Sequence, residues 1–327
     1  MTILVTGASG FLGSHIAEQL SQAGRSVRAL VRKTSKTQFL SSLENVELVY
    51  GSVDDRESCF AAMDGVEGVI HAAGLVKAKS PEEFLRVNTE GTQNLVEAAE
   101  AQEGKVERFV LVSSQAAGGP SNASGDPVRV GEETKPVTGY GRSKLAAEKV
   151  LLASSLASVV LRPPAIYGPR DSEILIFFKS VKSGVLPLTN PLEAKYSMIY
   201  GPDCAAACIR ALDAEVESGS VFYLDDGAPI TFKAMIDNVE KALNRRAWLR
   251  LPLPQNLVKG AAALTEAYGK ISGQAVMLTL DKCNELHAAG WVCDNTDARR
   301  ALNWEPQVRF PEGVKITGNW YQEQGWL

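Results

Sequence analysis

The chain has 327 residues, 45% of them hydrophobic and 22% charged, with a formal net charge of -4. That length holds two domains, or one large domain plus a lobe, around a substantial core. The acidic balance without a basic stripe excludes a nucleic-acid binder, and no apolar run is long enough for a transmembrane segment.

The first element is a strand over residues 1–5, running straight into Thr6-Gly7-Ala8-Ser9-Gly10-Phe11-Leu12-Gly13. Starting there leaves no room for a signal peptide, so a cytoplasmic location is expected. A helix follows, with Ile16 and Leu20 four apart between polar residues. Strand, glycine turn and helix make a phosphate cradle: Gly7 for the tight turn, Gly10 for close approach of a pyrophosphate, Gly13 for packing of helix on strand. The three-and-three glycine spacing departs from the Gly-x-Gly-x-x-Gly fingerprint, and glycines also serve turns that bind nothing. The position, first strand to first helix, favours dinucleotide binding.

Further apolar runs at 27–31, 46–50, 66–71, 108–112 and 158–162 alternate with helical patterns, the clearest at 81–101 and 140–153. This alternation predicts an α/β fold, a doubly wound parallel sheet of Rossmann type with helices on both faces. A long polar connection at 115–138 leads into the 140–153 helix, as an active-site loop would. After Arg162 the alternation weakens. Helices are expected near 173–183, 202–214, 232–243 and 311–323, a strand at 221–224, and an alanine-rich apolar stretch at 256–273. The domains read as 1–165 for the dinucleotide, with a return segment near 196–224, and 166–327 as a smaller, mostly helical substrate-binding lobe.

Three residues carry the expected chemistry. The fifth strand ends in Ser113-Ser114, and the long connection is followed by Tyr140-Gly141-Arg142-Ser143-Lys144. Residues i and i+4 share a helix face, so Tyr140 and Lys144 act together, although this spacing also occurs in plain surface pairs. A free tyrosine has a pKa of about 10, and a nearby lysine cation lowers it. With Ser114 holding a substrate oxygen, the set moves a proton on and off an alcohol while hydride moves at carbon.

The chain resembles the extended short-chain dehydrogenase/reductases, the NAD(P)-dependent epimerase/dehydratase superfamily. The matching pieces are the glycine turn, His71-Ala72-Ala73-Gly74, Asn88 with Gly91-Thr92, Ser113-Ser114, Tyr140 to Lys144, and Arg162-Pro163-Pro164-Ala165-Ile166-Tyr167-Gly168-Pro169. The resemblance implies Tyr140 as acid/base, Lys144 also on the nicotinamide ribose, Ser114 on the substrate oxygen, and Pro163-Pro164 beside the nicotinamide. The implied cofactor set is Gly7, Gly10, Phe11, Leu12, Gly13, Arg32, Lys36, Ser52, Val53, Ala72, Ala73, Gly74, Asn88, Val112, Tyr140, Lys144, Pro163 and Ile166.

Two departures matter. Members using NAD carry an acid near the end of the second strand; here Val31 is followed by Arg32 and Lys33, with Lys36 close. An arginine suits a 2′-phosphate, so NADP(H) is expected over NAD(H). Ser52 stands where the family usually has an aspartate for the adenine, with Asp54 as a substitute or as the start of the next helix.

The asparagine that nucleotide-sugar members place after the sixth strand is absent, though Lys195 is available for a phosphate. Residues 175–178 and 258–264 would give a greasy pocket, and Trp291, Trp304, Pro306 and Trp320-Tyr321 resemble the 3β-hydroxysteroid dehydrogenase and dihydroflavonol reductase branches. The expected function is reduction of a ketone, or oxidation of a secondary alcohol, on a hydrophobic small molecule. The alternative is a nucleotide-sugar epimerase or dehydratase with bound NAD(P). A regulator that binds cofactor without catalysis is the third reading, and retention of Tyr140 and Lys144 speaks against it. The 258–267 stretch is amphipathic enough to raise membrane-surface contact, but its flanks lack a run of Lys or Arg, so it reads as a pocket-lining or core helix. The resemblance implies a homodimer through the 81–101 and 140–153 helices. Five cysteines (Cys59, Cys204, Cys208, Cys283, Cys293), with no Cys-x-x-Cys, and three scattered histidines predict buried thiols and no metal.

Overall fold

The computed structural model describes residues 1–122, 125–276 and 278–327. Seven parallel strands form one sheet, in the spatial order Ser220–Tyr223, Ser158–Arg162, Arg108–Val112, Gly68–His71, Thr2–Thr6, Ser26–Val31, Val46–Tyr50. The inner strands are apolar runs because both faces are covered, and alternate residues feed opposite layers, whereas the edge strand Val46–Tyr50 has no buried residue. Ile3, Val5, Val110, Val112, Val159 and Leu161 pack beneath the Phe11–Gln22 and Gly201–Asp213 helices. Leu4, Phe109, Leu111 and Val160 face the Arg56–Met63, Gly91–Glu100 and Gly139–Leu152 helices. The doubly wound sheet expected from the sequence is therefore present, and Ser220–Tyr223 joins it as the seventh strand.

The 81–101 helix is not uniform. It runs as Pro81–Phe84, a π-helical Leu85–Glu90 and Gly91–Glu100. Such π turns are rare and cluster at functional sites. The 115–138 connection opens with a short helical turn, Gln115–Gly118, and its residues 123 and 124 lie outside the described residues.

The second half is less purely helical than its sequence suggests. Three small sheets pair Ala165–Tyr167 with Met198–Tyr200, Val185–Leu188 with Leu249–Pro252, and Lys195–Tyr196 with both Ile230–Thr231 and Gly290–Trp291. Strands this short carry no readable alternation. Tyr167, Phe178, Ile236, Phe310 and Tyr321 form a separate core there. The Gln255–Ser272 helix has only a small cluster of its own, Val258 and Ala262 against Cys283 of the Leu280–Leu286 helix. All five cysteines are buried and free. Among the described residues no group of acids, histidines and cysteines could hold a metal, and no helix is long and apolar enough to cross a membrane.

Candidate active site

The strand order reverses between Thr2–Thr6 and Gly68–His71, so a crevice opens outside their carboxyl ends. The glycine turn sits there. Gly7 has φ +71°, and a Cβ on it would lie 2.7 Å from the Ala73 nitrogen. A Cβ on Gly13 would lie 2.1 Å from the Gly7 oxygen. Both glycines are fixed by the protein's packing on itself. Gly10 differs: it is exposed, and its Cβ would meet only the Gly7 oxygen, at 3.1 Å. Gly10 also begins the Phe11–Gln22 helix without a side-chain cap, so the first-turn N–H groups at Phe11, Leu12 and Gly13 face a bare approach that fits a pyrophosphate. Gly13→Ala is expected to destabilise the fold by about 1–3 kcal/mol through overpacking against backbone, read as a lower thermal midpoint with weakened dinucleotide binding.

A buried hydrogen-bond chain ties this turn to the Gly139–Leu152 helix. The Ala73 N–H donates to Thr6 Oγ1 at 3.1 Å, and Thr6 Oγ1 lies 2.6 Å from His71 Nδ1. His71 Nε2 is 3.0 Å from Thr92 Oγ1, which donates to the Asn88 carbonyl at 2.7 Å. The Thr92 hydroxyl spends its only hydrogen on Asn88, so His71 Nε2 carries the ring proton and Thr6 donates to Nδ1. Burial, with Lys144 nearby, drops His71 to about 3, leaving it neutral. The Asn88 side chain accepts from the Leu75 N–H at 2.7 Å and donates to Ser143 Oγ at 2.9 Å. Ser143 Oγ donates to the Tyr140 carbonyl at 2.8 Å. Asn88 thus sets the relation between the Ala72-Ala73-Gly74 segment and the Gly139–Leu152 helix.

Ser114 caps its short helix, accepting from the Ala116 N–H at 3.1 Å, and its side chain lies near enough to the Tyr140 hydroxyl to favour the phenolate. Lys144 is buried one turn on, donating from Nζ to the Val112 carbonyl at 2.7 Å. Burial lowers Lys144 to about 8, and the Glu148 carboxylate opposes that. Tyr140 departs from the sequence expectation: burial raises it to about 12, Ser114 pulls it down, and Glu285 adds to the rise. Desolvation of the phenolate sets the direction.

Sequence reasoning missed what covers this helix. Asp281 accepts from the Gly139 N–H at 2.6 Å and pairs with Arg142 at 3.5 Å. The Phe84 ring lies 6.0 Å from that of Tyr140. Asp281 and Glu285 carry no sequence signal, because they come from the lobe where alternation fails. Glu148 did carry one, four residues after Lys144 on the same face.

The remaining expected residues fall as follows. Arg32 and Lys36 are exposed just past the second strand, and neither side chain has a partner among the described residues. Val53 is buried, and its carbonyl accepts from Asn94 at 2.9 Å. The Ser52 hydroxyl donates to Asp54, which also pairs with Arg86. The helix starts on Asp55 instead, which accepts from the Glu57 N–H at 3.2 Å. Pro163 is buried, its carbonyl accepting from the Gln115 N–H at 2.8 Å, and Ile166 pairs with Ile199 in the small sheet. The greasy segments are a correction. Leu175 and Phe178 are buried in the lobe's core, Val258 is buried against Cys283, and Leu264 is 75% exposed. Helical faces, not the runs themselves, decide where these side chains go. Lys195 is exposed beside a 420 Å³ cleft shared with Asp225, Asp294 and Arg299.

A family model described as the NAD dependent epimerase/dehydratase family matches residues 3–224. A ceramide reductase of Caulobacter vibrioides is 33% identical over 330 residues, spanning 99% of this chain and 96% of its own. A UDP-glucose 4-epimerase of Vibrio cholerae is 26% identical over 329 residues, spanning 97% and 94%. The solved UDP-glucose 4-epimerase of Thermotoga maritima shares the fold, with a TM-score of 0.80 at 22% identity and 99% of both chains covered. The chain belongs to the NAD-dependent epimerase/dehydratase family, the extended short-chain dehydrogenase/reductases, and is an NAD(P)-dependent oxidoreductase.

Proposed function

We propose that the protein reduces a ketone on a hydrophobic small molecule with NADPH, or runs the reverse oxidation. The observation that carries this reading is the junction of Tyr140 with Ser114, with buried Lys144 one turn away. When bound, the dinucleotide supplies the hydride. Tyr140 Oη gives its proton to the carbonyl oxygen, Ser114 Oγ holds that oxygen, and the Lys144 ammonium stabilises the phenolate left behind. The hydrophobic substrate class is supported by likeness to the ceramide reductase over nearly the whole chain. We assign 1–165, with the return segment, to the dinucleotide and 166–327 to substrate.

NADP(H) preference rests on Arg32 and Lys36, two exposed cations past the strand end where a ribose acid would sit. Arg32→Glu is expected to lower the NADPH-over-NADH ratio of kcat/KM by about tenfold or more, as a charge-assisted phosphate contact becomes a repulsion. A wild-type preference for NADH overturns the assignment.

The polar cleft beside Lys195 favours a second reading, a nucleotide-sugar epimerase or dehydratase. Stoichiometric NADPH consumption with a ketone supports reduction, whereas turnover of a UDP-sugar without net cofactor change supports the alternative.

A further inference from the structure

The Gln255–Ser272 helix faces outward in a way its sequence did not suggest. Leu257, Leu264, Tyr268 and Ile271 are 63%, 75%, 61% and 88% exposed. At 3.6 residues per turn they form one stripe along the helix. Its smaller neighbours Gly260, Ala261 and Ala267 are also exposed, so this face carries no charge. The opposite face, Val258, Ala262 and Gly269, is buried. Just upstream, Trp248 is 76% exposed, preceded by the exposed cations Arg245 and Arg246. Exposed Lys259 and Lys270, about three turns apart, line one flank of the stripe, with Lys270 also 3.5 Å from the Glu266 carboxylate.

This helix is joined to the cover of the active site. Thr265 Oγ1 donates to the Leu278 carbonyl, and Glu266 accepts from the Leu280 N–H at 3.2 Å. The Leu280–Leu286 helix then holds Gly139 through Asp281 and sets Glu285 against Tyr140.

We propose that this face seats on the surface of an anionic lipid bilayer, from which the hydrophobic substrate reaches the site beneath the Leu280–Leu286 cover. The occupant follows from shape and charge. The side chains form a standing ridge, not a groove, and cations border it. Anionic headgroups complement those cations, whereas a second copy brings the same cations to the rim, like against like. An uncharged apolar stripe with flanking lysines and exposed aromatic residues is the pattern of a helix lying in the interface plane. The proposal rests on the hydrophobic-substrate reading above.

The test is flotation of the full chain with vesicles of phosphatidylcholine alone or with about a third phosphatidylglycerol. The expected result is flotation with the anionic vesicles, weakened by salt, and a fall of about tenfold or more in the bound fraction for the Leu264→Glu/Ile271→Glu pair. Both positions are exposed, so thermal stability and reduction of a water-soluble ketone should be unchanged, while reduction of a vesicle-borne ketone falls. Absence of flotation, or equal flotation of the variant, overturns the proposal. So does a wild-type dimer that the variant dissolves without any vesicle binding, which gives the face to a second copy. Flotation without any ketone reduction sinks the reductase reading alone, and reduction without flotation sinks the bilayer seat alone.

Discussion

Tyr140→Phe is expected to lower NADPH-dependent ketone reduction by about a hundred- to ten-thousand-fold while leaving the fold intact and weakening dinucleotide binding far less than it lowers the rate. The substitution removes one oxygen beside Ser114 and keeps the ring beside Phe84. Steady-state rates with a thermal melt and a cofactor titration check it; near wild-type kcat would remove Tyr140 from the chemistry. The pH profile gives the same assignment a second reading. Reduction needs Tyr140 protonated, which its value of about 12 secures throughout the working range. It also needs Lys144 charged, and burial brings that group to about 8. The rate should therefore be flat below about pH 8 and fall above it. The stability effect has the opposite sign. A lysine with a lowered folded value costs stability while protonated, and the cost is relieved as pH rises from about 8 towards the unfolded value of 10.5.

The parts of this fold legible in the sequence are those where local pattern and final environment agree. Ile3, Leu4 and Val5 form one apolar run because each faces a covered layer, so the strand and its burial on both sides read directly. The glycine turn reads because Gly7 and Gly13 have no room for a Cβ. Tyr140 and Lys144 read because one helix carries both. Asp281 did not, since it reaches Gly139 from far along the chain in an element with no alternation around it. The Gln255–Ser272 helix was misjudged for another reason: an apolar run does not say which of its faces meets protein. Leu264 and Val258 have similar hydrophobicity, and only packing against Cys283 separates them. The Tyr140 shift failed for a third: charge pairing is visible in sequence spacing, whereas desolvation needs the finished fold.

Glu148→Gln is expected to destabilise the protein by about 3–5 kcal/mol, because it leaves a buried guanidinium without its counter-charge. Glu148 and Arg162 are almost wholly buried and joined by two hydrogen bonds, Nε to Oε1 at 2.9 Å and Nη2 to Oε2 at 2.7 Å. Ser113 Oγ donates to the same carboxylate, and Arg162 Nη1 donates to the Tyr223 hydroxyl at 2.9 Å. Burial works against the Arg162 charge, and Glu148 and Tyr223 together more than offset it. The network joins the Gly139–Leu152 helix to the Arg108–Val112, Ser158–Arg162 and Ser220–Tyr223 strands, one turn from Lys144. Denaturant melts of Glu148→Gln, Arg162→Met and the double variant check the claim. The double loss should be smaller than the sum of the singles, since removing both charges leaves neither one stranded. A second consequence separates this network from inert packing. Glu148 raises Lys144 against burial, so in Glu148→Gln the pH at which reduction falls away should move below about 8. A loss of stability with an unmoved pH break would assign the carboxylate to the fold alone. Movement of both ties the Lys144 charge to a carboxylate one turn further along the same helix face.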